Sequence, residues 1–297
     1  MNLSQLAERV IAYLQGFSRD QEEKTWILSG VADSDLTFRV NDPKMVSGGM
    51  CEIEDELVWV SRVDNSTGDV TVAPFGRGYL GTTAAAHDAN ACITNSPKYP
   101  KSQVKQAIND AIRGVYPDLH VLGSHEFNYV AARTTYELPE DVDLVHSVTT
   151  ETIGPTRRWA NLVRWRYNPQ ADTDRFPSGK SLDIYQEPVA GQKVRITYLK
   201  PPAPFEDSTT EFATATGLNA TAEDCIVYGA CFRLVGLLET PRLQISAIEQ
   251  QLRSQVVRPG ETQHAARHFL QLYQLALMSE RERLHRANPA SSHFRYL

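Results

Sequence analysis

No apolar run in the sequence approaches the ~20 residues that a membrane-crossing helix needs, and mean hydropathy is −0.37. The amino-terminal stretch MNLSQLAERVIAYLQGF carries Glu8 and Arg9 within its apolar pattern, so no secretory signal is expected. Cysteine is scarce. Cys51, Cys92, Cys225 and Cys231 form no CxxC pair and no zinc spacing, which points to reduced thiols and assembly in a cytoplasm. Neither a GxSxG nucleophile elbow nor a GxxxxGK[ST] phosphate loop occurs, which removes two widespread catalytic signatures. An excess of positive charge is also missing. The net charge of −6 argues against a surface that wraps nucleic acid all round.

What is present is a chain of 297 residues, 41% hydrophobic, long enough for two domains or for one with insertions. Its charge is uneven. Residues 1–140 carry 19 acids against 12 bases, residues 141–240 carry 13 against 10, and residues 241–297 carry 4 against 8. The body is acidic and the C-terminal segment basic.

Periodicity divides the chain further. Leu3, Leu6, Ala7, Val10 and Leu14 recur at helical spacing, with Asn2 or Ser4 as the cap. From Trp26 to Ile93 the period changes to two, as in Glu56–Val63 and Asp69–Val72, with Gly, Asn and Asp turns between short strands. That reads as an inserted β-barrel or sandwich. A helix returns over Ser102–Val115, ended by Pro117. A second β region comes next, with strands over Val142–Thr149, Ala160–Tyr167, Leu182–Tyr185 and Val194–Leu199, and Pro201–Pro204 as a stiff exit. Thr209–Leu218 reads as a polar connector. Helices are expected over Ala222–Leu238 with Thr221 as the cap, over Pro241–Val257, and over Glu261–His285. The fold class is therefore α+β, a helical bundle core with an inserted small β-barrel or sandwich and a second β domain. Its segments are 1–24, 25–97, 98–133, 134–206, 207–286 and a tail over 287–297.

The chemistry-bearing residue types give no catalytic constellation. The Gly-rich piece Phe75–Thr83 has no lysine and lies between strand-like segments, so a structural turn is favoured over phosphate binding. His264 and His268 have the i, i+4 spacing of a zinc pair, but Ala265 stands where a zincin needs Glu. His87 beside Asp88 lacks a nucleophile and reads as a turn histidine. The cluster Glu52–Glu56 lacks the order of a calcium loop and reads as a solvated strand edge. Arg157, Arg158, Trp159, Arg164, Trp165 and Arg166 form a basic aromatic patch, which suits a subunit interface better than base stacking in so acidic a chain. Neither a cofactor nor a metal is expected.

Two stretches together carry a resemblance. Arg77-Gly78-Tyr79-Leu80-Gly81-Thr82-Thr83-Ala84-Ala85-Ala86-His87 looks like the RGxxGTxAxxH signature of small β modules in tailed-bacteriophage virion proteins. The order of helix, Lys105–Asn109 helix, β domain closing on Val194–Tyr198, and terminal helices with Tyr273, Glu280, Arg281 and Arg283 resembles head-to-tail adaptor proteins of tailed phages. The resemblance implies a non-enzymatic virion protein at the neck, assembled in the host cytoplasm as a ring of twelve. It also implies a portal partner, a next neck or tail protein, and a channel that DNA passes without sequence-specific binding. The implied portal-docking residues are Arg281, Arg283, Arg286, Phe294, Arg295, Tyr296 and Leu297. Arg77 joins Arg157, Arg158, Trp159, Arg164 and Trp165 as candidate subunit-interface residues. The rival readings are a tail terminator or tail-tube-associated component and, more remotely, a nucleic-acid-binding protein.

Overall fold

A computed structural model describes residues 1–16, 22–154, 157–237 and 261–289. Its content is mixed, 31% helical and 28% strand, so neither class dominates. The chain divides into two compact units. The first comprises residues 1–111, 207–209 and 224–273, and the second residues 112–206, 210–223 and 274–297.

The first unit opens with α1 (Leu3–Gln15). A capping box starts it, in which Asn2 Oδ1 accepts from the Gln5 amide at 2.9 Å and Gln5 Oε1 accepts from the Asn2 amide at 3.1 Å. Its five expected apolar residues are all buried. Six short strands come after it: β1 (Lys24–Trp26), β2 (Thr37–Arg39), β3 (Gly49–Ile53), β4 (Glu56–Val63), β5 (Asp69–Val72) and β6 (Cys92–Asn95). They form one antiparallel sheet in the order β1-β6-β3-β4-β5-β2. The sheet curls until its edges meet. Leu28 N donates to Arg39 O and Asn41 N to Trp26 O, both at 2.9 Å, around an Ile27–Val40 bridge. Inside lies an apolar cluster that includes Ile27, Val40, Cys51, Ile53, Val58, Val70 and Ile93. Strand alternation therefore supplies an inner face, as the period of two requires.

Helix α2 (Lys101–Gly114) succeeds the sheet, and α4 (Glu223–Leu237) and α5 (Glu261–Ala287) come near the end of the chain. α4 is apolar on nearly every side, burying Cys225, Ile226, Val227, Ala230, Cys231, Leu234 and Val235. Gly229 on α4 is where neighbours come close, because a Cβ there would lie 3.1 Å from the Tyr273 ring and 3.4 Å from Ala111. α1 reaches α4 through an Arg9–Asp224 ion pair at 2.6 Å and an edge-on Tyr13–Tyr228 contact. These contacts group helices without establishing the expected bundle core.

The second unit is built on β7 (Val121–Asn128), β8 (Thr135–Glu137), β9 (Leu144–Glu151), β10 (Trp159–Asn161), β11 (Trp165–Asn168), β12 (Ser181–Ile184) and β13 (Lys193–Lys200). Two antiparallel sheets, β10-β9-β13-β7 and β11-β12-β8, share one apolar cluster containing Tyr136, Val145, Val148, Leu162, Trp165, Leu182, Val194 and Ile196. The expected Ala160–Tyr167 strand is in fact two strands in different sheets, because the chain crosses over at Leu162–Arg164. β7 has no counterpart in the sequence-based expectation, and its Gly123 faces Tyr198 across the pair. A Cβ there would sit 2.4 Å from the Tyr198 ring. The connector Thr209–Leu218 contains a short helix, α3 (Phe212–Thr216), anchored by Phe212 at 0% exposure.

Two expected helix starts differ. Helix α2 begins at Lys101 rather than at Ser102, and its first amide donates to Glu52 Oε1 at 2.6 Å. Asn219, not Thr221, caps the turn that leads into α4. No disulfide joins the four cysteines. No described helix is long and apolar enough to cross a membrane. The expected Pro241–Val257 helix lies outside the described residues.

Candidate functional site

The signature stretch folds into a loop that leaves β5 and lies against the β3–β4 hairpin. At its centre is the Glu56 carboxylate, wholly buried. It accepts from Arg77 Nε at 2.8 Å and Nη2 at 2.9 Å, from the Gly78 amide at 2.9 Å and from the Ala85 amide at 3.1 Å. His87 Nε2 lies 2.9 Å from the same carboxylate, and Nδ1 lies 2.9 Å from Glu54 Oε2. A neutral imidazole can donate to only one of the two. Arg77 directs its remaining donors to the carbonyls of Ala32, Asp35 and Ala85, at 2.6–2.7 Å.

Burial alone would raise the Glu56 pKa. The Arg77 fork, the two amides and His87 outweigh it and hold the carboxyl down to about 2. Nearby Glu52 has no such company. Burial pushes it up to about 7, against the Lys101 amide and charge. The acidic cluster is thus a hairpin turn between central strands, with Glu52 at 5% and Glu56 at 1% exposure, and not a solvated edge. His87 is likewise a buried bracket at 4% exposure, bridged to Val31.

Gly76, Gly78 and Gly81 do have the GxGxxG spacing. Tyr79–Gly81 form only a single 3-10 turn and not a helix, so the loop lacks the helix N-terminus that a dinucleotide pyrophosphate needs. Among the described residues no group of three His, Cys, Asp or Glu side chains could hold a metal ion. In the second unit a groove of 710 Å³ is lined in part by Asp141, Asp143, Lys180 and Lys200. Its charges are already engaged: Lys200 pairs with Asp141 at 3.2 Å, and Lys180 Nζ donates to the Glu140 and Val142 carbonyls at 2.6 Å.

The other expected positions lie on α5. Arg281 pairs with Asp118 at 3.3 Å, Arg283 with Glu280 at 2.8 Å and Arg286 with Glu282 at 3.1 Å. All three arginine side chains remain at least 37% exposed. Phe294, Arg295, Tyr296 and Leu297 lie outside the described residues.

A family model described as SU10 adaptor protein matches residues 79–292, more than two thirds of the chain. The chain belongs to the SU10 adaptor protein family. No curated protein matches it. The family is one of structural phage adaptors, which is not an enzyme class, and membership implies interaction with other phage head and tail proteins. The match begins inside the signature loop, so β1–β5 precede it.

Within this adaptor the basic aromatic patch is not one surface. Trp165 is 8% exposed and fills the second unit's core, where it can stack on neither a base nor a partner. Trp159 is half-buried, with the Arg195 guanidinium 3.9 Å above its ring. Arg157 is 77% exposed and 3.6 Å from Glu151, and Arg158 and Arg164 are exposed. Arg77, grouped with them on the sequence, has a side chain only 8% exposed and is committed to Glu56. Residues that sequence reasoning missed are Glu56 and Glu52, and the loop-tip residues Phe75 and Leu80. One available signal was the uncharged run on either side of Arg77, with acids waiting one hairpin upstream.

Proposed function

We propose that the chain is the head-to-tail adaptor of a tailed phage, forming a closed ring between the portal and the next neck or tail component and leaving a channel for DNA. The observation that carries this reading is the family match taken with the last turns of α5. Three arginines stand there on one helix end, each paired among the described residues with a carboxylate of its own chain. The Arg281–Asp118 and Arg286–Glu282 pairs are exposed on both sides and worth about 0–1 kcal/mol each, so a portal surface offering bidentate carboxylates can exchange for them with little penalty. The acidic body fits a channel wall, since carboxylates repel phosphate and a duplex slides past. Arg157, Arg158, Trp159 and Arg164 are the proposed lateral contacts.

Electron-microscopic imaging of the chain co-expressed with its portal tests the reading. The expected result is a ring seated on one end of the portal, lost on deletion of residues 286–297. Rings or tubes formed without any portal would instead favour a component further down the tail.

A further inference from the structure

The loop that carries the signature also holds out two large apolar side chains. Phe75 is 99% exposed and Leu80 65% exposed, beside Trp59 at 41%. Both Phe75 and Leu80 have left-handed backbone, with φ of 64° and 53°, a region that bulky residues avoid. An exposed side chain on a strained backbone would ordinarily relax, and this loop cannot. Arg77 and the Gly78 and Ala85 amides clamp it to Glu56. Trp59 N donates to Gly76 O at 2.8 Å, and Ala73 N donates to Trp59 O at 2.9 Å. Gly76 has no room for a Cβ, which would meet the Trp59 carbonyl at 2.8 Å. The fold thus fixes an apolar knob in water, where strain that the surroundings over-determine is a mark of function.

Beside the knob is a shelf. The Trp59 and Tyr79 rings lie 5.1 Å apart, tilted at 46°. From Ala73 to Ala86 the only charged residue is Arg77, and Glu56 neutralises it internally. The patch therefore carries no free charge on a chain of net charge −6.

We propose that this patch is a two-fold contact between copies of the chain, the Phe75–Leu80 knob of each copy seating on the Trp59–Tyr79 shelf of the other. Charge selects the occupant. Two acidic copies repel over most of their surfaces and can meet closely where charge is absent, whereas a basic partner is drawn to the carboxylates instead. Knob and shelf sit on the same patch of each copy, so the contact is two-fold, each copy giving its knob and receiving its partner's. Aromatic contacts of this kind, once desolvated, are of the type that dominates interface energetics. The inference rests on the reading that copies assemble with one another.

The test pairs an assembly assay with a mapped cross-link. The double variant Phe75→Ser, Leu80→Ser is compared with the unaltered chain, each co-expressed with the portal and imaged. Their self-association is also followed by sedimentation over a concentration series. Because the replaced side chains are exposed, folding should be unaffected, and a thermal melt checks this. The expected result is a folded variant whose self-association is at least about tenfold weaker. In the second arm a benzophenone amino acid replaces Phe75, and irradiation should join it to Trp59 or Tyr79 of another copy. A double variant that self-associates as tightly as the unaltered chain overturns the inference and leaves the adaptor reading standing. A cross-link to the portal, to a different part of another copy, or to nothing also overturns it. If the unaltered chain forms no ring with or without the portal, the adaptor reading fails, and if it does not self-associate in sedimentation the inference fails.

Discussion

Arg77 and Glu56 meet in a two-point contact, Nε and Nη2 of the guanidinium at 2.8 and 2.9 Å from the two carboxylate oxygens, with the Glu56 side chain wholly buried. This pair turns a Gly-rich loop into a fixed element. Two loop amides and His87 share the same carboxylate, so the loop is tied to the β3–β4 hairpin at several points through one group.

Removing one partner of that pair leaves the other buried and uncompensated. Arg77→Ala is expected to destabilise the first unit by about 3–5 kcal/mol, read as a lower urea midpoint. A loss under about 1 kcal/mol would show that water reaches Glu56 and that the loop is not clamped.

Glu56 and Glu52 should give opposite pH dependences. The Glu56 pKa falls from an ordinary 4.5 to about 2. Its contribution, about 3 kcal/mol by linkage, is therefore present above pH 4.5 and lost as pH falls toward 2. The Glu52 pKa rises from 4.5 to about 7, so the folded state holds that proton more tightly. Stability then declines as pH rises from 4.5 to 7. Glu52→Gln keeps an acceptor for the Lys101 amide and should flatten the decline, giving a chain more stable than the unaltered one at pH 8. Identical pH profiles for the two chains above pH 4.5 would sink this assignment.

Gly123→Ala places a Cβ against the Tyr198 ring, 2.4 Å from its nearest atom. Tyr198 cannot swing away freely, because its hydroxyl donates to Asp141 at 3.0 Å. The expected cost is about 1–3 kcal/mol, measured by denaturant unfolding. An unchanged midpoint would mean that β7 shifts without penalty.

Arg281→Glu and Arg286→Glu together should separate docking from folding. Their partners Asp118 and Glu282 are solvent-exposed, so stability should move by no more than about 1 kcal/mol. Seating on the portal should be lost. A double variant that still seats normally would assign docking to other residues.

Much of the architecture was legible because hydrophobic periodicity reports local geometry. The apolar faces of α1 and α2 and the strands β4, β5, β12 and β13 follow from spacing alone. β1, β3 and β6 are too short, or too interrupted by Gly and polar residues, for a period of two to register. β7 was missed because Gly123, Ser124 and His125 dilute its alternation, and the Tyr198 ring that covers Gly123 comes from a strand far along the chain. Trp165 read as an interface residue because residue type alone cannot separate a core tryptophan from a surface one.

The candidate site divides in the same way. Order and composition suffice to mark Arg77–His87 as a special stretch, to make the C-terminal end basic and to establish the resemblance to phage adaptors. It takes the folded chain to make Glu56 the anchor of the loop, to set Glu52 at the start of α2, and to turn Phe75 and Leu80 into water. Burial, pKa and exposure depend on groups brought together across long separations in the chain, and no local pattern encodes which of several neighbouring acids will be enclosed.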